Sequence, residues 1–242
     1  MLASALLGED PPALPVRRLV RVAALFGINE NRARVALSRM AARGEVEADG
    51  AGGYALAGRL LERAGRLQAA RAGRAGPSDG TWHVVVVIAP PGAPDVRRAR
   101  RGALRAARLG ELRDGTWVRP ANLAVVLDDA TARSVTSFRA VPDEDPVDLA
   151  SRVFDLGGWA RRAARLVEAL DAADLVGARA LATGFELDAD VLRHLQRDPL
   201  LPAALLPASW PGPRLRSAFE GFDRRYRARL ADAHRAAAVA AG

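Results

Sequence analysis

Residues 15–56 constrain the fold of this chain more than any other segment, because they contain two helical patterns joined by a short turn. The first pattern predicts a helix over Val16 to Phe26, and Gly27 ends it since glycine accepts a positive φ. Asn29 is a suitable N-cap for a second helix that extends to about Arg43. This order of elements predicts a helix-turn-helix. The face of the first helix expected to be buried consists of Val16, Leu19, Val20, Ala23 and Ala24.

A short hairpin pattern follows the second helix. Strands are predicted over Glu45 to Ala48 and over Tyr54 to Leu56. The glycine-rich segment between them, Asp49 to Gly53, has a composition typical of a hairpin turn. The hairpin would be a wing, so the segment as a whole predicts a winged helix-turn-helix. An ordinary helical hairpin followed by a β-turn is the alternative interpretation of the same pattern.

The second helix separates into two faces when its residues are placed at about 100° intervals. The apolar stripe expected to pack inward consists of Ala33, Ala36, Leu37 and Met40. The opposite face and its flanks carry small or hydrogen-bonding side chains, whereas a merely solvated helix usually carries mixed charges. Arginine can donate twice to guanine, asparagine can pair with adenine, and valine can touch the thymine methyl. The candidate DNA-contacting residues are Asn31, Arg32, Arg34, Val35, Ser38 and Arg39.

Positive charge is concentrated in the first two thirds of the chain. All 36 basic residues are arginine, and the formal net charge is +8. Residues 1–76 hold 12 arginines against 7 acidic residues, residues 77–142 hold 10 against 6, and residues 143–242 hold 14 against 15. This distribution fits a polyanion-binding module joined to a near-neutral one, although a solvated arginine surface has the same composition.

The composition also excludes several kinds of chemistry. The absence of cysteine removes disulfides, thiolate nucleophiles and cysteine zinc sites, and the only imidazoles are those of His83, His194 and His234. We therefore expect no cofactor and no metal. The longest apolar run, Val84 to Ala89, is too short for a membrane span, and no basic stretch precedes the first apolar residues. A soluble cytoplasmic protein without a membrane partner is expected.

Two stretches, Arg71 to Gly80 and Val141 to Pro146, have compositions typical of domain boundaries. Between them, strands are predicted over Trp82 to Ala89, Asn122 to Leu127 and Ser134 to Val141, with a basic helix over Asp95 to Leu109. The predicted fold class is α+β, with an N-terminal winged helix-turn-helix over residues 1–74, a central ferredoxin-like domain over residues 80–146 and a helical C-terminal domain over residues 147–242.

Three segments resemble one family, in the same order along the chain. Residues 27–44, with the run Arg34-Val35-Ala36-Leu37-Ser38-Arg39-Met40, resemble the recognition segment of the PaaX-like phenylacetate-catabolon repressors. Residues 113–120 (RDGTWVRP) resemble the family's segment before a core strand, and Trp82 with the following valines resembles its first strand. Residues 197–207 (RDPLLPAALLP), with Trp210-Pro211-Gly212, resemble its C-terminal signature.

The resemblance implies a repressor of a catabolic operon that binds double-stranded DNA as a homodimer, with the central domain responsible for dimerisation. Two-fold symmetry of the protein would match a palindromic operator. The resemblance also implies that an aryl-CoA thioester, typically phenylacetyl-CoA, binds and weakens the affinity for DNA. The wing tip, almost all glycine and alanine, departs from the family pattern, which often has arginine there.

An effector of this kind needs cationic groups beside an apolar pocket. His194 and Arg197, one turn apart on a predicted helix, together with Trp210 are the candidate effector-binding residues. The alternative for the first two is a helix C-terminus stabilised by cationic side chains. The alternative for Trp210 is a packing anchor. The arginines of the basic helix, Arg97 to Arg108, are expected to be solvated, with a contact to CoA phosphates or DNA as the alternative.

An enzymatic alternative rests on the acidic pair Asp128 and Asp129. The pair follows an apolar strand pattern, where metal-dependent nucleases place carboxylates, so a metal-dependent nuclease on the central domain is the rival function. No nearby histidine or third carboxylate completes such a site, and an acidic pair in this position also serves as a turn or a helix cap. We therefore predict no catalytic residues and a protein that is not an enzyme.

Overall fold

The computed structural model describes residues 2–7, 9, 11–90 and 92–239. It is a mixture of helices and antiparallel sheets, which confirms the predicted α+β class. The chain divides into two compact units, each built from separate stretches of sequence. The first unit comprises Met1–Ala72, Arg165–Gln196 and Arg214–Gly242, and the second comprises Gly73–Ala164 and Arg197–Pro213. The division of the sequence into three consecutive domains stays a prediction.

The first unit combines the N-terminal segment with helices from the C-terminal third of the chain. Its sheet is antiparallel in the order β1-β3-β2, and Tyr54 of the middle strand pairs with Leu14 on one side and Ala48 on the other. Its elements are α1 (Leu2–Leu7), β1 (Ala13–Pro15), α2 (Val16–Ala24), α3 (Glu30–Ala42), β2 (Val46–Ala48), β3 (Gly53–Leu56), α4 (Gly58–Ala72), α9 (Ala178–Leu195) and most of α10 (Gly212–Val239).

Helices α2 and α3 pack through their apolar faces. Three of the four residues in the predicted inward stripe of α3, Ala33, Leu37 and Met40, are buried, and Ala36 is half-buried. For α2 the prediction needs two corrections. The helix ends at Ala24 and not at Phe26, and its buried residues are Leu19, Val22 and Ala23, whereas Ala24 is exposed. The turn between the helices is held against α9, where the rings of Phe26 and Phe185 meet edge to face with centroids 5.3 Å apart.

The second unit contains a four-stranded antiparallel sheet in the order β5-β6-β4-β7. The strand and helix order along this segment is β-α-β-β-α-β, and the sheet is followed by helices that cover part of it. The elements are β4 (Trp82–Val87), α5 (Pro94–Ala106), β5 (Gly110–Arg113), β6 (Thr116–Pro120), α6 (Asp129–Ala132), β7 (Val135–Ala140), α7 (Pro146–Val153) and a 3-10 helix (Ala203–Leu205); the boundary between the units falls within α8 (Leu156–Asp171).

Alternation along the strands gives the sheet two apolar faces. Val85 and Trp117 are paired across β4 and β6 and face Leu104 of α5. Trp82 and Val118, on the opposite face, pack with residues of α7 and the 3-10 helix. Burial on both faces explains why β4 is a nearly continuous apolar run.

The structure corrects two sequence predictions in this unit. Residues 122–127 are not a strand, although Val125 and Leu127 pack against the Val85 and Trp117 cluster, so their apolar pattern reflects burial alone. The hairpin of β5 and β6 was not predicted. Its turn contains Asp114 and Gly115, with Gly115 at a φ of +77°, and an Asp-Gly pair is a recognised hairpin signal that the sequence does contain.

Across the described part of the chain, every helix is too short or too polar to cross a lipid bilayer.

Candidate nucleic-acid interface

Helix α3 presents one face to solvent, and the predicted DNA-contacting residues form it. Its buried face is fixed by the side chains that pack into the first unit, so the direction of the outer face follows from that packing. All six of these side chains are exposed, as are Glu30 and Ala42. The six are Asn31, Arg32, Arg34, Val35, Ser38 and Arg39. Val35 is 43% exposed, so its methyl groups are accessible for a contact. A helix of this kind fits the major groove, which is about 12 Å wide.

The start of α3 is fixed by a side-chain cap. Asn29 is extended (φ −68°, ψ 162°), and its Oδ1 accepts a hydrogen bond from the backbone N–H of Arg32 at 2.9 Å. The turn before it contains Gly27 at a φ of +69°, a conformation that glycine adopts without steric cost. These two features place Asn31 and Arg32 in the first turn of α3, the part of a recognition helix that commonly meets base edges.

Arg34 and Glu30 form an ion pair along the exposed face of α3. The Nε of Arg34 donates to Oε1 of Glu30 at 2.7 Å, and the second guanidinium nitrogen lies at 2.7 Å from the same oxygen. Both side chains are more than half exposed, so such a pair contributes only about 0.3–0.5 kcal/mol. The pair orients the guanidinium outward but is weak enough for a phosphate or a guanine to displace it.

A second ion pair joins the end of α3 to the hairpin. Arg43 donates to both carboxylate oxygens of Glu45, each at 2.9 Å. The hydrogen bond and the charge of the partner raise the pKa of Arg43, and the hydrogen bond from Arg43 lowers the pKa of Glu45. Arg43 therefore connects the end of α3 to the hairpin and is not one of the candidate DNA-contacting residues.

The β2–β3 hairpin occupies the position of a wing, but its side chains are acidic and would repel phosphate groups. Oδ1 of Asp49 accepts hydrogen bonds from the N–H groups of Ala51 and Gly53, both at 2.8 Å, which closes the turn. Residues 44–57 contain no basic side chain and three acidic ones, among them Glu47 and Asp49. A negatively charged wing repels the DNA backbone, so base and phosphate contacts are expected from α3.

The three predicted effector residues do not belong to one compact unit. His194 is buried in the last turn of α9, in the first unit, whereas Arg197 and Trp210 belong to the second. The expected single-helix spacing of His194 and Arg197 is wrong, because α9 ends at Leu195 and Arg197 is exposed beyond it. Trp210 stacks on Trp159, with ring centroids 4.5 Å apart and planes 19° apart. This stacking favours the packing role for Trp210, and the effector assignment stays a prediction.

A buried polar network in the second unit was missed from the sequence. Arg119 is fully buried and donates to Oδ1 of Asn122 at 3.0 Å and to the carbonyl of Pro120 at 3.1 Å. Nδ2 of Asn122 donates to the carbonyl of Leu200 at 2.8 Å, and Arg108 donates to the carbonyl of Asp198. Burial, reinforced by the charge of Arg108, lowers the pKa of Arg119 to about 10.

The network explains structurally why two of the segments that resemble the family, residues 113–120 and 197–207, contain buried polar groups. It connects residues 113–120 with residues 197–207, which are distant in sequence. The signal in the sequence was a polar pair, Arg119 and Asn122, within an otherwise apolar stretch. Sequence alone does not show that Asn122 also donates to the carbonyl of Leu200, which lies 78 positions further along the chain.

In the acidic pair Asp128 and Asp129, Asp128 is the N-cap of α6. Oδ1 of Asp128 accepts from the backbone N–H of Thr131 and Oδ2 accepts from its hydroxyl, both at 2.9 Å. These hydrogen bonds lower the pKa of Asp128. Both carboxylate oxygens therefore act in capping α6, which favours the cap over the metal site. No cluster of three or more metal-ligating side chains occurs among the residues that the structure describes.

Comparison with known proteins agrees with the resemblance found in the sequence. Family matches cover consecutive segments: a PaaX-like protein over residues 2–60, a PaaX protein central Cas2-like domain over residues 75–144, and a PaaX-like protein C-terminal domain over residues 155–237. No curated protein matches the chain significantly.

One solved structure is similar to this chain over nearly its whole length. It is the uncharacterized protein Rv0674 from Mycobacterium tuberculosis, which is 38% identical to this chain, with a TM-score of 0.75 and 95% of each chain covered. The family matches follow one another in the expected order, and together they leave only short segments unmatched. The chain therefore belongs to the PaaX-like family, whose members are transcriptional regulators.

Proposed function

We propose that this protein is a transcriptional repressor of a catabolic operon, which recognises its operator through the outward face of α3. The observation that carries the proposal is the exposure of six small or hydrogen-bonding side chains on a helix whose opposite face is locked into the first unit. Helix α2, the turn at Gly27, helix α3 and the β2–β3 hairpin follow in the order of a winged helix-turn-helix.

The exposed groups on α3 match the hydrogen-bonding pattern of the major groove. Arg34, once released from Glu30, can donate two parallel hydrogen bonds to a guanine, and Asn31 can pair with an adenine. Val35 can contact a thymine methyl group. Arg32 and Arg39, at the flanks of the face, are suited to phosphates. The acidic hairpin lies outside the contact surface, so this wing does not read the minor groove.

We propose further that the repressor is a homodimer on a palindromic operator. A single helix of 13 residues buries too little surface for high specificity, and two copies related by two-fold symmetry read two half-sites. The β-α-β-β-α-β order of the second unit supports a ferredoxin-like central domain, which the family resemblance associates with dimerisation.

Release of the operator is proposed to follow binding of an aryl-CoA or a related aromatic metabolite. The contact of Phe26 with Phe185 gives a physical route, because a ligand that shifts α9 also shifts the turn that positions α3. A tenfold loss of DNA affinity requires about 1.4 kcal/mol of coupling, and the operator must weaken ligand binding by the same factor.

The DNA-binding proposal is tested with an operator selected from random duplexes by the full-length protein. Arg34→Ala is expected to weaken binding to that operator by roughly 1–3 kcal/mol at fixed salt, as measured by fluorescence anisotropy. Arg161→Ala, which removes an exposed arginine from α8, is the matched control and should leave the affinity nearly unchanged. Equal affinities for wild type and Arg34→Ala, with both proteins folded, would exclude α3 as the recognition helix.

Induction is tested separately by calorimetry with phenylacetyl-CoA, with and without the selected operator. We expect binding that the operator weakens. If no CoA thioester binds, or if the operator leaves its affinity unchanged, induction by an aryl-CoA is excluded while the DNA-binding proposal stands.

A further inference from the structure

Helix α5 concentrates positive charge on an exposed surface. Its 13 residues include five arginines and one acidic residue, and the one buried side chain among these described residues is that of Leu104. Several of the arginines lie three or four positions apart, a spacing at which like charges destabilise a helix. The charge therefore does not serve the stability of α5, whereas an external anion would relieve the repulsion. The five are Arg97, Arg98, Arg100, Arg101 and Arg105.

Two of the five arginines have partners within the second unit. Arg101 pairs with Glu111 and lies 3.6 Å from Asp114, and Arg105 lies 3.8 Å from Glu111. The guanidinium groups of Arg101 and Arg105 also lie over the ring of Trp117, at 5.7 Å and 5.6 Å from its centroid. These contacts hold the C-terminal half of α5 on the β5–β6 hairpin, so they give these two arginines a role in the fold.

The other three arginines, in the N-terminal half of α5, have no such role. Within residues 2–7, 9, 11–90 and 92–239, the side chains of Arg97, Arg98 and Arg100 form no ion pair and no hydrogen bond. Arg97 and Arg98 are exposed, and Arg100 is half-buried. At 100° per residue, the three positions fall within about 160° of the helix circumference, so they share one side of the helix. Three guanidinium groups are therefore available there to a partner outside the domain.

Charge is segregated between the two faces of the four-stranded sheet. Helix α5 covers one face, and α7 covers part of the other. Residues 143–148, which lead into α7, contain four exposed acidic residues and no arginine. Helix α6 contacts α5 and contributes Arg133 against Asp128 and Asp129, so the positive charge is confined to α5. A polyanion is therefore attracted to the α5 side of this unit and repelled from the α7 side.

We infer that α5 is a second DNA-contacting surface, which binds backbone phosphates of a duplex through Arg97, Arg98 and Arg100 and does not read bases. A guanidinium donates parallel hydrogen bonds to phosphate oxygens, and each contact releases condensed counterions whatever the base sequence. Contacts of this kind supply affinity and position the protein on the duplex, while base contacts supply specificity. The inference rests on the proposed DNA-binding function, and it adds a sequence-independent contact to the base contacts proposed for α3.

The acidic residues 143–148 of a second copy are the other anionic partner that the chain itself offers. Their carboxylates are already engaged in part, because Glu144 pairs with Arg152 at 2.7 Å and Asp145 caps the start of α7. A DNA duplex instead presents one negative charge per about 1.7 Å of its axis, on phosphates that face solvent. Three unpaired arginines on one side of a helix therefore fit a duplex better than they fit this segment.

The test is the salt dependence of DNA binding by the full-length protein, measured by fluorescence anisotropy on the selected operator and on an unrelated duplex of equal length. A variant that combines Arg97→Gln with Arg98→Gln is expected to lower the slope of log affinity against log salt by about two, because each phosphate contact contributes about 0.9. Its affinity should fall about tenfold at 0.1 M salt, and equally on both duplexes. Arg100→Gln alone is expected to lower the slope by about one.

Two further variants control for charge and for folding. The combination of Arg97→Lys with Arg98→Lys keeps both charges and should retain most of the slope. The combination of Arg161→Gln with Arg165→Gln removes two exposed arginines from α8 and should keep the wild-type slope. Thermal unfolding of each variant is expected to match the wild type, since all four positions are exposed.

The outcomes separate this surface from the proposed repressor function. An unchanged slope in the glutamine variant of α5, with operator binding intact, would overturn the inference and leave the role of α3 untouched. An equal loss of slope in the α8 variant would overturn it too, because net charge and not α5 would then attract the duplex. If the glutamine variant kept the slope but lost a salt-dependent self-association in sedimentation without DNA, α5 would instead bind the acidic segment of a second copy. Absence of any DNA binding by the wild type at low salt would refute the proposed function itself, and the inference with it.

Discussion

The guanidinium of Arg34 lies 2.7 Å from the carboxylate of Glu30 on the exposed face of α3, so the residue most suited to read guanine is already held by an acidic neighbour. Binding to DNA must exchange this ion pair for a contact with base or phosphate. The pair is exposed and worth only about 0.3–0.5 kcal/mol, so the exchange is feasible. In the complex proposed above, Glu30 would also place a negative charge close to the DNA backbone.

Glu30→Gln is therefore expected to raise the affinity for the operator by a few-fold, because it frees Arg34 and removes a repulsive charge. Fluorescence anisotropy at fixed salt measures the change. Glu62→Gln is the matched control, since Glu62 forms a similar exposed pair with Arg66 on α4, at 3.9 Å. An operator affinity that falls or stays constant in Glu30→Gln would contradict the role given to Arg34.

Gly53 is required by the close approach of β1 to β3. A Cβ at this position would lie 2.6 Å from the carbonyl oxygen of Leu14 and 2.3 Å from Oδ2 of Asp49. Gly53→Ala is expected to lower the free energy of unfolding by about 1–3 kcal/mol through overpacking. Urea unfolding measures it. Gly65→Ala, in the open surface of α4, is the control and should be neutral or stabilising by up to about 1 kcal/mol. Equal effects of the two substitutions would argue against the tight packing of β1.

The α3 segment shows how much of this protein can be predicted from its sequence. Its cap at Asn29 and its inward stripe were predicted because both depend on residues within four positions of one another. The strand β1 and the hairpin of β5 and β6 were not, although Asp114-Gly115 is a local signal for the latter. Strand β1 has only three residues and forms through pairing with β3, so no periodicity marks it.

The buried network around Arg119 illustrates the other limit. Arg119, Asn122 and Leu200 meet only in the folded second unit, and no helical or strand period connects them. The spacing of His194 and Arg197 predicts one shared helix, but α9 ends at Leu195, and the residues after His194 contain no glycine that marks this end. Local patterns are sufficient to predict α3 and its exposed face. The burial of polar residues such as Asn122 depends on contacts that are distant in sequence.

Asn122→Ala tests the structural role of this network. The substitution removes the side-chain acceptor of a fully buried guanidinium, and a lost hydrogen bond to a charged group costs about 1.5–3 kcal/mol. Urea unfolding should show a loss of that size, whereas Ser137→Ala, at an exposed position on β7, should change stability by less than about 0.5 kcal/mol. Wild-type stability in Asn122→Ala would mean that Arg119 does not depend on this acceptor.

Asp188 is expected to make the stability of the protein depend on pH. Burial raises its pKa to about 7, and the neighbouring carboxylates of Asp223 and Glu9 act in the same direction, while Arg71 and Arg227 oppose them. A carboxyl whose pKa is raised on folding stabilises the native state below its ordinary pKa, near 3.8, and this contribution is lost as pH rises towards 7. Tyr226 also belongs to this cluster, and the pKa of its hydroxyl is raised, chiefly by burial.

The substitution Asp188→Asn keeps the neutral form at every pH. Thermal unfolding should show a smaller loss of stability between pH 5 and pH 8 in Asp188→Asn than in the wild type. Glu186→Gln, at an exposed position on the same helix, is the control and should follow the wild-type curve. Identical pH dependence in the wild type and Asp188→Asn would show that Asp188 is ionised throughout this range.

The most direct test of operator recognition by α3 is the binding of the full-length protein to a set of duplexes in which each base pair of the selected operator is varied in turn, for the wild type and for Arg34→Ala. The account predicts that Arg34→Ala loses roughly 1–3 kcal/mol of discrimination at one base pair in each half-site, at two positions related by the operator's two-fold symmetry, and keeps its preferences elsewhere. A uniform loss of affinity across all duplexes, with no position relaxed, would contradict it.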